Sequence, residues 1–474
     1  MQLSKYSWRD VTLDTQKIIA ETVGSFILGI VISLTADSAG APCGSPATLA
    51  VGFTYVFLIY AFGHVSAAGL FNPAVTLGSF LSGHLTLALA GAFVVAQSGG
   101  ALVGALLGNA LRTAEVQSCN PTDLSRAFAV EAIYTGVLIL VAQNCVLSKH
   151  ANEPNSFYGL AVGLTVAAGM GVVSPTSGGF FNPALSLASD FASLKVDSTT
   201  LNDIWLYWLA PIIGAIFATA FQVFQNKVDK NTVAFPAWAV RCLCCCCRER
   251  NSNYDDGGGG GGGYVNTGDS TTTHIDDGRL PVAVPLTEFV GTFFLTLTAA
   301  LPGRSETPGL ETGFILAALT YACDHHGADF NPAVTLGLAL RLGRVVADRG
   351  KIALIFCAQF AGAFAGALVA LIIYGNVGYP SPDGYRGDGG AVVFEAIWTS
   401  ILVYVVCSVM TKTTAESDET IEYSSRGHTR SYHGIAIGFA VFAGIQCSGP
   451  GGSGSGGVFN PAIGLGITLL VCIA

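Results

Sequence analysis

One tetrapeptide constrains this chain more than any other feature. It occurs four times: Phe71-Asn72-Pro73-Ala74, Phe181-Asn182-Pro183-Ala184, Phe330-Asn331-Pro332-Ala333 and Phe459-Asn460-Pro461-Ala462. Each copy follows a glycine-containing loop and opens a short apolar stretch. Asn is a favoured N-cap, and Pro suits the first helical position because the N–H it lacks would have no partner there. Each copy therefore predicts the start of a helix. The stretch behind it, 75–81 after the first copy, is too short to cross a bilayer.

The setting gives these short helices their meaning. Hydrophobic residues make up 51% of the chain and charged residues 11%, against about 25% charged in soluble domains. The chain reads as an all-α polytopic membrane protein whose first partner is the lipid bilayer. Its net charge of −9 is spread over loops; without a basic patch it points to no nucleic acid. Residues 1–14 are polar and lack the apolar core of a secretory signal, so the first membrane helix is expected to drive insertion. Cys145, Cys357 and Cys407 lie in apolar segments and read as small buried thiols.

Six spans are predicted in the first half: 17–36, 45–62, 86–108, 127–146, 157–173 and 204–225. Five follow in the second: 283–300, 311–323, 352–374, 391–409 and 434–447. Only fourteen residues follow Asn460, enough for a short helix, so the second half is expected to lack a sixth span. The domain reading is a complete unit over 1–225, a linker over 226–280 and a second, shortened unit over 281–474. Repeats are nested inside the units. Glu21 and Glu131 each precede their Asn by 51 positions, while Glu288 and Glu395 precede theirs by 43 and 65. Three spans followed by three spans place the second repeat upside down, an inverted repeat of the kind that sets a solute site at the midplane.

With the N-terminus cytoplasmic, 17 of the 22 Lys and Arg residues lie inside. Arg112, Arg126, Lys195, Arg304 and Arg386 lie outside. The positive-inside rule supports that orientation and makes the linker cytoplasmic. Its Gly257–Gly263 run, amid Asp, Thr and Asn, predicts a flexible segment without a core. Ahead of that run stand Cys242, Cys244, Cys245, Cys246 and Cys247, flanked by Arg241, Arg248 and Arg250. Juxtamembrane cysteines with basic neighbours read as S-palmitoylation sites. Metal binding fits less well because no second spaced pair accompanies them, and an unmodified cluster is the remaining alternative.

Two half-helices from inverted repeats would enter from opposite faces and meet at their N-termini. Each terminus carries roughly half a positive charge, and each capping Asn presents an N–H₂ donor. A water or hydroxyl oxygen can accept from both, while the dipoles repel a cation. Unwound chain at membrane depth is tolerated where protein buries it or water meets it. This is the chemistry of conduction; it needs no acid, base, nucleophile, metal or cofactor.

Two such motifs per six-span unit, a Glu in spans one and four, Gln97 and Gln359 in span three, and Trp208-Leu209-Ala210-Pro211 in span six together resemble the aquaporin, or major intrinsic protein, family. The resemblance covers 15–225 completely and 283–474 in part. It implies an aquaporin-like inverted-repeat hourglass bundle with re-entrant half-helices, here as two tandem units. It also implies tetrameric assembly, met by a homo-oligomer whose four units form a pseudo-tetramer, and passive flux of water or small neutral solutes.

The departures from the family bear on the solute. After the second Asn-Pro-Ala the family usually carries a filter Arg; here stand Leu185 and Ile463. Aligning span five by Gly163-Leu164-Thr165-Val166 puts Met170 where water-selective members carry His, and similarly suggests Ile445. Val51 takes the span-two filter position, and Gly179 and Gly457 the loop position. The first filter is thus Val51, Met170, Gly179 and Leu185, without charge, and glycerol, urea or ammonia are expected to pass beside or instead of water. Ser186 replaces the Asp of glycerol-type members, so that subclass is not matched either.

His64, Asp324, His325, His326 and Asp329 precede the first half-helices and read as loop anchors rather than pH gates. Glu21, Glu131, Glu288 and Glu395 would accept hydrogen bonds from the re-entrant loops instead of touching solute. The first unit is expected to conduct and the second to conduct poorly or to depend on a neighbour. A non-conducting scaffold of the same fold is the rival reading. A coupled transporter fits less well, because the first filter has no ionisable group.

Overall fold

The computed structural model describes residues 8–35, 45–66, 69–111, 121, 123–147, 157–193, 203–230, 234–235, 280–301, 309–323, 327–378, 387–413, 421–423, 432–448 and 455–473. The cysteine cluster and glycine run of the linker, and Asp324, His325 and His326, lie outside them.

In the first unit the long helices are α1 (Trp8–Thr35), α2 (Ser45–Phe62), α4 (Leu87–Leu111), α5 (Leu124–Ala142), α6 (Tyr158–Ser177) and α8 (Ile204–Lys230). Between them lie the half-helices α3 (Pro73–Leu81) and α7 (Pro183–Ser193). In the second unit α9 (Ala283–Ala300), α10 (Leu310–Cys323), α12 (Arg349–Tyr374), α13 (Gly387–Met410) and α14 (His433–Ser448) are the long helices. Its half-helices are α11 (Pro332–Arg341) and α15 (Pro461–Ile473). Among the described residues eight helices are long and apolar enough to span a membrane; α2, α10 and α14 are shorter apolar helices.

The packing repeats between units. α1 lies along α4 as α9 lies along α12, and α2 lies along α6 as α10 lies along α14. The second of these seams is a glycine crossing. A Cβ on Gly163 would stand 2.5 Å from the Gly52 carbonyl oxygen, and one on Gly313 would stand 2.6 Å from that of Gly438. Small residues let backbones approach where hydrocarbon offers no hydrophobic drive. Counting from these glycines, Thr312 takes in the second unit the place of Val51 in the first, and Leu316 that of Tyr55.

α8 packs on α5 and α3. Among the described residues no helix takes that place beside α13, whose Val392, Val393, Ile397 and Tyr404 are exposed. The units also meet each other. The Tyr134 hydroxyl lies 3.0 Å from Thr298 Oγ1, and Gln225 Nε2 donates to Thr287 Oγ1 at 2.9 Å. Thr176 Oγ1 lies 2.6 Å from the Tyr374 hydroxyl, and Phe157 stacks on Tyr321 at 5.6 Å.

The linker's ends are structured. α8 runs on to Lys230, past the boundary that composition marks at 226. The strands β1 (Ala234–Phe235) and β2 (Leu280–Pro281) then pair antiparallel. A second short pair, β3 (Thr411–Thr413) with β4 (Ile421–Tyr423), follows α13.

Candidate functional site

Asn72 and Asn331 cap α3 and α11 as N-cap chemistry predicts. Each has extended backbone, with φ near −153° and −156°, and its side-chain oxygen accepts from the N–H of Ala74 or Ala333. Asn182 and Asn460 accept likewise from Ala184 and Ala462, at 2.9 and 3.0 Å. The carboxamide N–H₂ groups then point across each unit. Asn72 Nδ2 donates to the Phe181 carbonyl at 2.8 Å, and Asn182 Nδ2 returns the bond to the Phe71 carbonyl at 2.9 Å. The second unit repeats this, Asn331 to Phe459 and Asn460 to Phe330, both at 2.8 Å. The four motifs are two reciprocal pairs.

The phenylalanines hold these pairs in place, a role that the sequence reading missed. All four have φ between 47° and 51°, the left-handed region that side chains with a Cβ rarely enter. Each backbone is clamped at both ends. Its carbonyl accepts the opposite Asn, and its N–H goes to a carboxylate: Phe71 to the buried Glu21 (2.6 Å), Phe181 to the buried Glu131 (2.8 Å), Phe330 to the buried Glu288 (2.7 Å) and Phe459 to the half-buried Glu395 (2.8 Å). The rings are fully buried against Gly24, Gly169, Gly291 and Gly444, where any Cβ would collide with them. Strain at such a residue persists only where its surroundings over-determine it.

Each carboxylate also takes the preceding N–H: Leu70, Phe180, Asp329 or Val458. Glu131 and Glu395 add a hydroxyl, Ser177 at 2.7 Å and Ser455 at 2.8 Å, and Ser66 donates to Glu21. Gln97 bridges Glu21 and Thr76, at 2.8 and 2.9 Å, as Gln359 bridges Glu288 and Thr335, both at 2.9 Å. The carboxylates thus hold the loops that carry the asparagines.

Of the filter positions, Val51, Met170 and Leu185 are buried. Gly179 and Gly457 have φ of 67° and 61°. A Cβ on Gly179 would stand 2.9 Å from Met170 Cα, and one on Gly457 would stand 3.1 Å from Ile445 Cα. The loop position therefore requires glycine, and it sits beside the span-five position in both units. In the second unit Ile445, Gly457 and Ile463 line a cavity of about 70 Å³ with Thr312, Thr298 and Glu311. A further cavity of about 30 Å³ shares Thr312, Val458 and Ile463 with it and reaches Asn331, Asn460, Asp329 and Leu316. Thr312 and Glu311 were not among the sequence-predicted site residues. The signal for Thr312 was Gly313 after it, matching Gly52 after Val51.

In the first unit Asn182 has a second partner. Its Nδ2 also donates to the Tyr55 hydroxyl at 2.6 Å. Tyr55 is 3% exposed. His64 lies in the turn after α2. Among the described residues no group of His, Cys, Asp and Glu could hold a metal ion.

Long apolar helices around two pairs of re-entrant half-helices, joined tip to tip by Asn carboxamides, define a membrane channel. The chain belongs to the major intrinsic protein family, whose profile matches residues 7–221 and again 282–424. The family is made up of channel proteins, and this chain is a passive channel for water and small neutral solutes. A probable aquaporin of Arabidopsis thaliana is 32% identical over 215 residues, 44% of this chain and 76% of its own length. A glycerol uptake facilitator-like protein of Lactiplantibacillus plantarum is 32% identical over 43% of this chain and 94% of its own. The solved aquaglyceroporin of Plasmodium falciparum is 25% identical, covers 44% of this chain and 95% of its own, and has a TM-score of 0.38.

Proposed function

We propose that the solute path runs between the paired asparagines of a unit and that its narrowest ring is the apolar filter. In the first unit the ring is Val51, Met170, Gly179 and Leu185. In the second it is Ile445, Gly457 and Ile463, with Thr312 as the fourth member. No ring member carries a charge or a large hydrogen-bonding side chain, so a solute need not match a fixed set of donors. Small neutral solutes of the glycerol, urea and ammonia type pass with water, while ions and protons are turned back by the opposed half-helix N-termini. No reaction is catalysed.

The observation that carries this reading is the reciprocal Asn-to-Phe carbonyl pairing, which sets two cationic helix ends against each other at the centre of each unit. A scaffold has no need of them. The purified chain in proteoliposomes is expected to speed osmotic shrinkage and glycerol-driven reswelling without dissipating a proton gradient. Shrinkage no faster than that of empty liposomes would favour the scaffold.

The chain is read as two units joined by a cytoplasmic linker, with the N-terminus inside. Two copies would make a ring of four units. The contact of Phe157 on Tyr321 supports this, because the corresponding residues are Tyr432 and Tyr60, both exposed aromatics, Tyr60 packing edge-on against Tyr158 of its own unit. In such a ring Tyr432 of one copy stacks on Tyr60 of the other. Cys242, Cys244, Cys245, Cys246 and Cys247 are proposed lipidation sites that hold the linker at the inner membrane surface.

A further inference from the structure

The two units differ at the level of the asparagines, and one of the differing side chains bears directly on an asparagine donor. An Asn carboxamide has two N–H donors. In the second unit Asn460 gives one to the Phe330 carbonyl, and the described residues place no hydroxyl on the other. Its side chain, with those of Asn331 and Leu316, lines a cavity. In the first unit Asn182 gives one N–H to the Phe71 carbonyl and the other to the Tyr55 hydroxyl. Both donors are then occupied by protein.

Tyr55 stands one helical turn from Val51, on the same face of α2 as that filter residue. Its counterpart is Leu316, one turn from Thr312, and both of these border the second unit's cavities. The phenol therefore occupies the position where a permeating oxygen would accept from Asn182. A side chain that stands in the lumen at the paired asparagines and takes up a donor there removes both the room and the partner that a solute needs.

We propose that Tyr55 plugs the first unit's lumen at the paired asparagines and that the second unit, with Leu316 there, carries the flux. This rests on the passive-channel reading above. It reverses the order that span counting suggests, in which the complete unit conducts. The first unit serves as a folded wall and partner for the second, through the contacts of α5 and α6 with α10 and of α8 with α9.

The test compares four full-length chains in proteoliposomes by stopped-flow light scattering, normalised to incorporated protein: the parent, Tyr55→Leu, Leu316→Tyr, and the two changes together. Tyr55→Leu opens a second lumen and is expected to raise water flux about twofold. Leu316→Tyr is expected to drop flux close to the empty-liposome level, and the double change to restore about the parental value. A conducting parent whose flux Tyr55→Leu leaves unchanged overturns the plug and spares the channel reading. So does a Leu316→Tyr chain that keeps parental flux. If Leu316→Tyr is not monodisperse, Tyr55→Leu alone decides, checked against Tyr55→Phe. Phe keeps the ring and is expected to gain less than Leu; an equal gain in both counts against the ring as the obstruction. All four chains at background, although monodisperse, would sink the channel reading itself.

Discussion

Replacing Glu131 by Leu tests what holds the asparagines in place. Glu131 is wholly buried and accepts three hydrogen bonds: from the N–H groups of Phe180 (3.0 Å) and Phe181 (2.8 Å) and from the Ser177 hydroxyl (2.7 Å). Leu fills a similar volume but accepts nothing, so three buried donors lose their partner. Each unmet donor costs about 1–3 kcal/mol, a gross loss of about 3–9 kcal/mol. Part of this is recovered. Phe181 is held at φ 50°, and release from that conformation returns about 1–2 kcal/mol as the loop relaxes. The expected net loss is about 1–8 kcal/mol. Relaxation also moves the Phe181 carbonyl, which accepts from Asn72, so both halves of the unit loosen together. Glu131→Gln keeps an acceptor for part of the set and should lose less. The assay is unfolding of the purified chain in mixed micelles with rising denaturing detergent, with Phe217→Leu on the exposed face of α8 as control. A Glu131→Leu midpoint equal to that of the control would refute the clamp.

Other outcomes follow from the same geometry. Gly179→Ala should cost stability, by about 1–2 kcal/mol for left-handed backbone alone, and more from the 2.9 Å approach to Met170 Cα; thermal unfolding measures it. Ile463→Arg should lower the glycerol-to-water flux ratio of the parent, whereas Leu185→Arg should do so only in a Tyr55→Leu background; equal effects in both backgrounds would contradict this. Tyr60→Glu or Tyr432→Glu should halve the mass of the assembly by light scattering if the exposed tyrosines join two copies. At the N-terminal end of α5, the Ser125 hydroxyl, then the Arg126 N–H, hold the Asp123 carboxyl below its ordinary value of 3.8. A lowered carboxyl adds stability that is present above the unfolded value and lost as pH falls through the folded one. Asp123→Ala should therefore lower the unfolding temperature at neutral pH and leave it unchanged well below 3.8.

Much of this was legible because capping chemistry is local. Asn before Pro predicts a helix start from two neighbours alone, and α3, α7, α11 and α15 each begin at the proline of a motif. The Glu and Gln residues were visible as isolated polar groups in apolar runs, since a membrane leaves such groups few reasons to be there. The phenylalanines were not legible in the same way. Nothing in a Phe announces a positive φ, and a ring beside a pore reads as packing. The available sign was a glycine three positions after Glu21 and Glu288, which leaves room for the ring. Tyr55 escaped for a different reason. Its position one turn past Val51 could be read from the sequence, but its bond to Asn182 joins residues 127 positions apart. The ends of the linker were hidden as well, because β1 and β2 are two residues each and pair across a segment with no pattern of its own.

The reciprocal bonds between motifs also set an order of events during synthesis. Asn72 needs a carbonyl 109 positions ahead of it, and Asn331 one 128 positions ahead. When the first half-helix of a unit leaves the ribosome, its tip has neither its acceptor nor the donor that its own Phe carbonyl awaits. No bilayer group in the hydrocarbon region can stand in for them. The first three helices of each unit must therefore wait with an unfinished centre, shallow or shielded by the insertion machinery, until the second three arrive. Pore formation in each unit is a single late closure, and a nascent chain arrested between the two motifs of a unit should hold its first half-helix accessible to water-borne reagents.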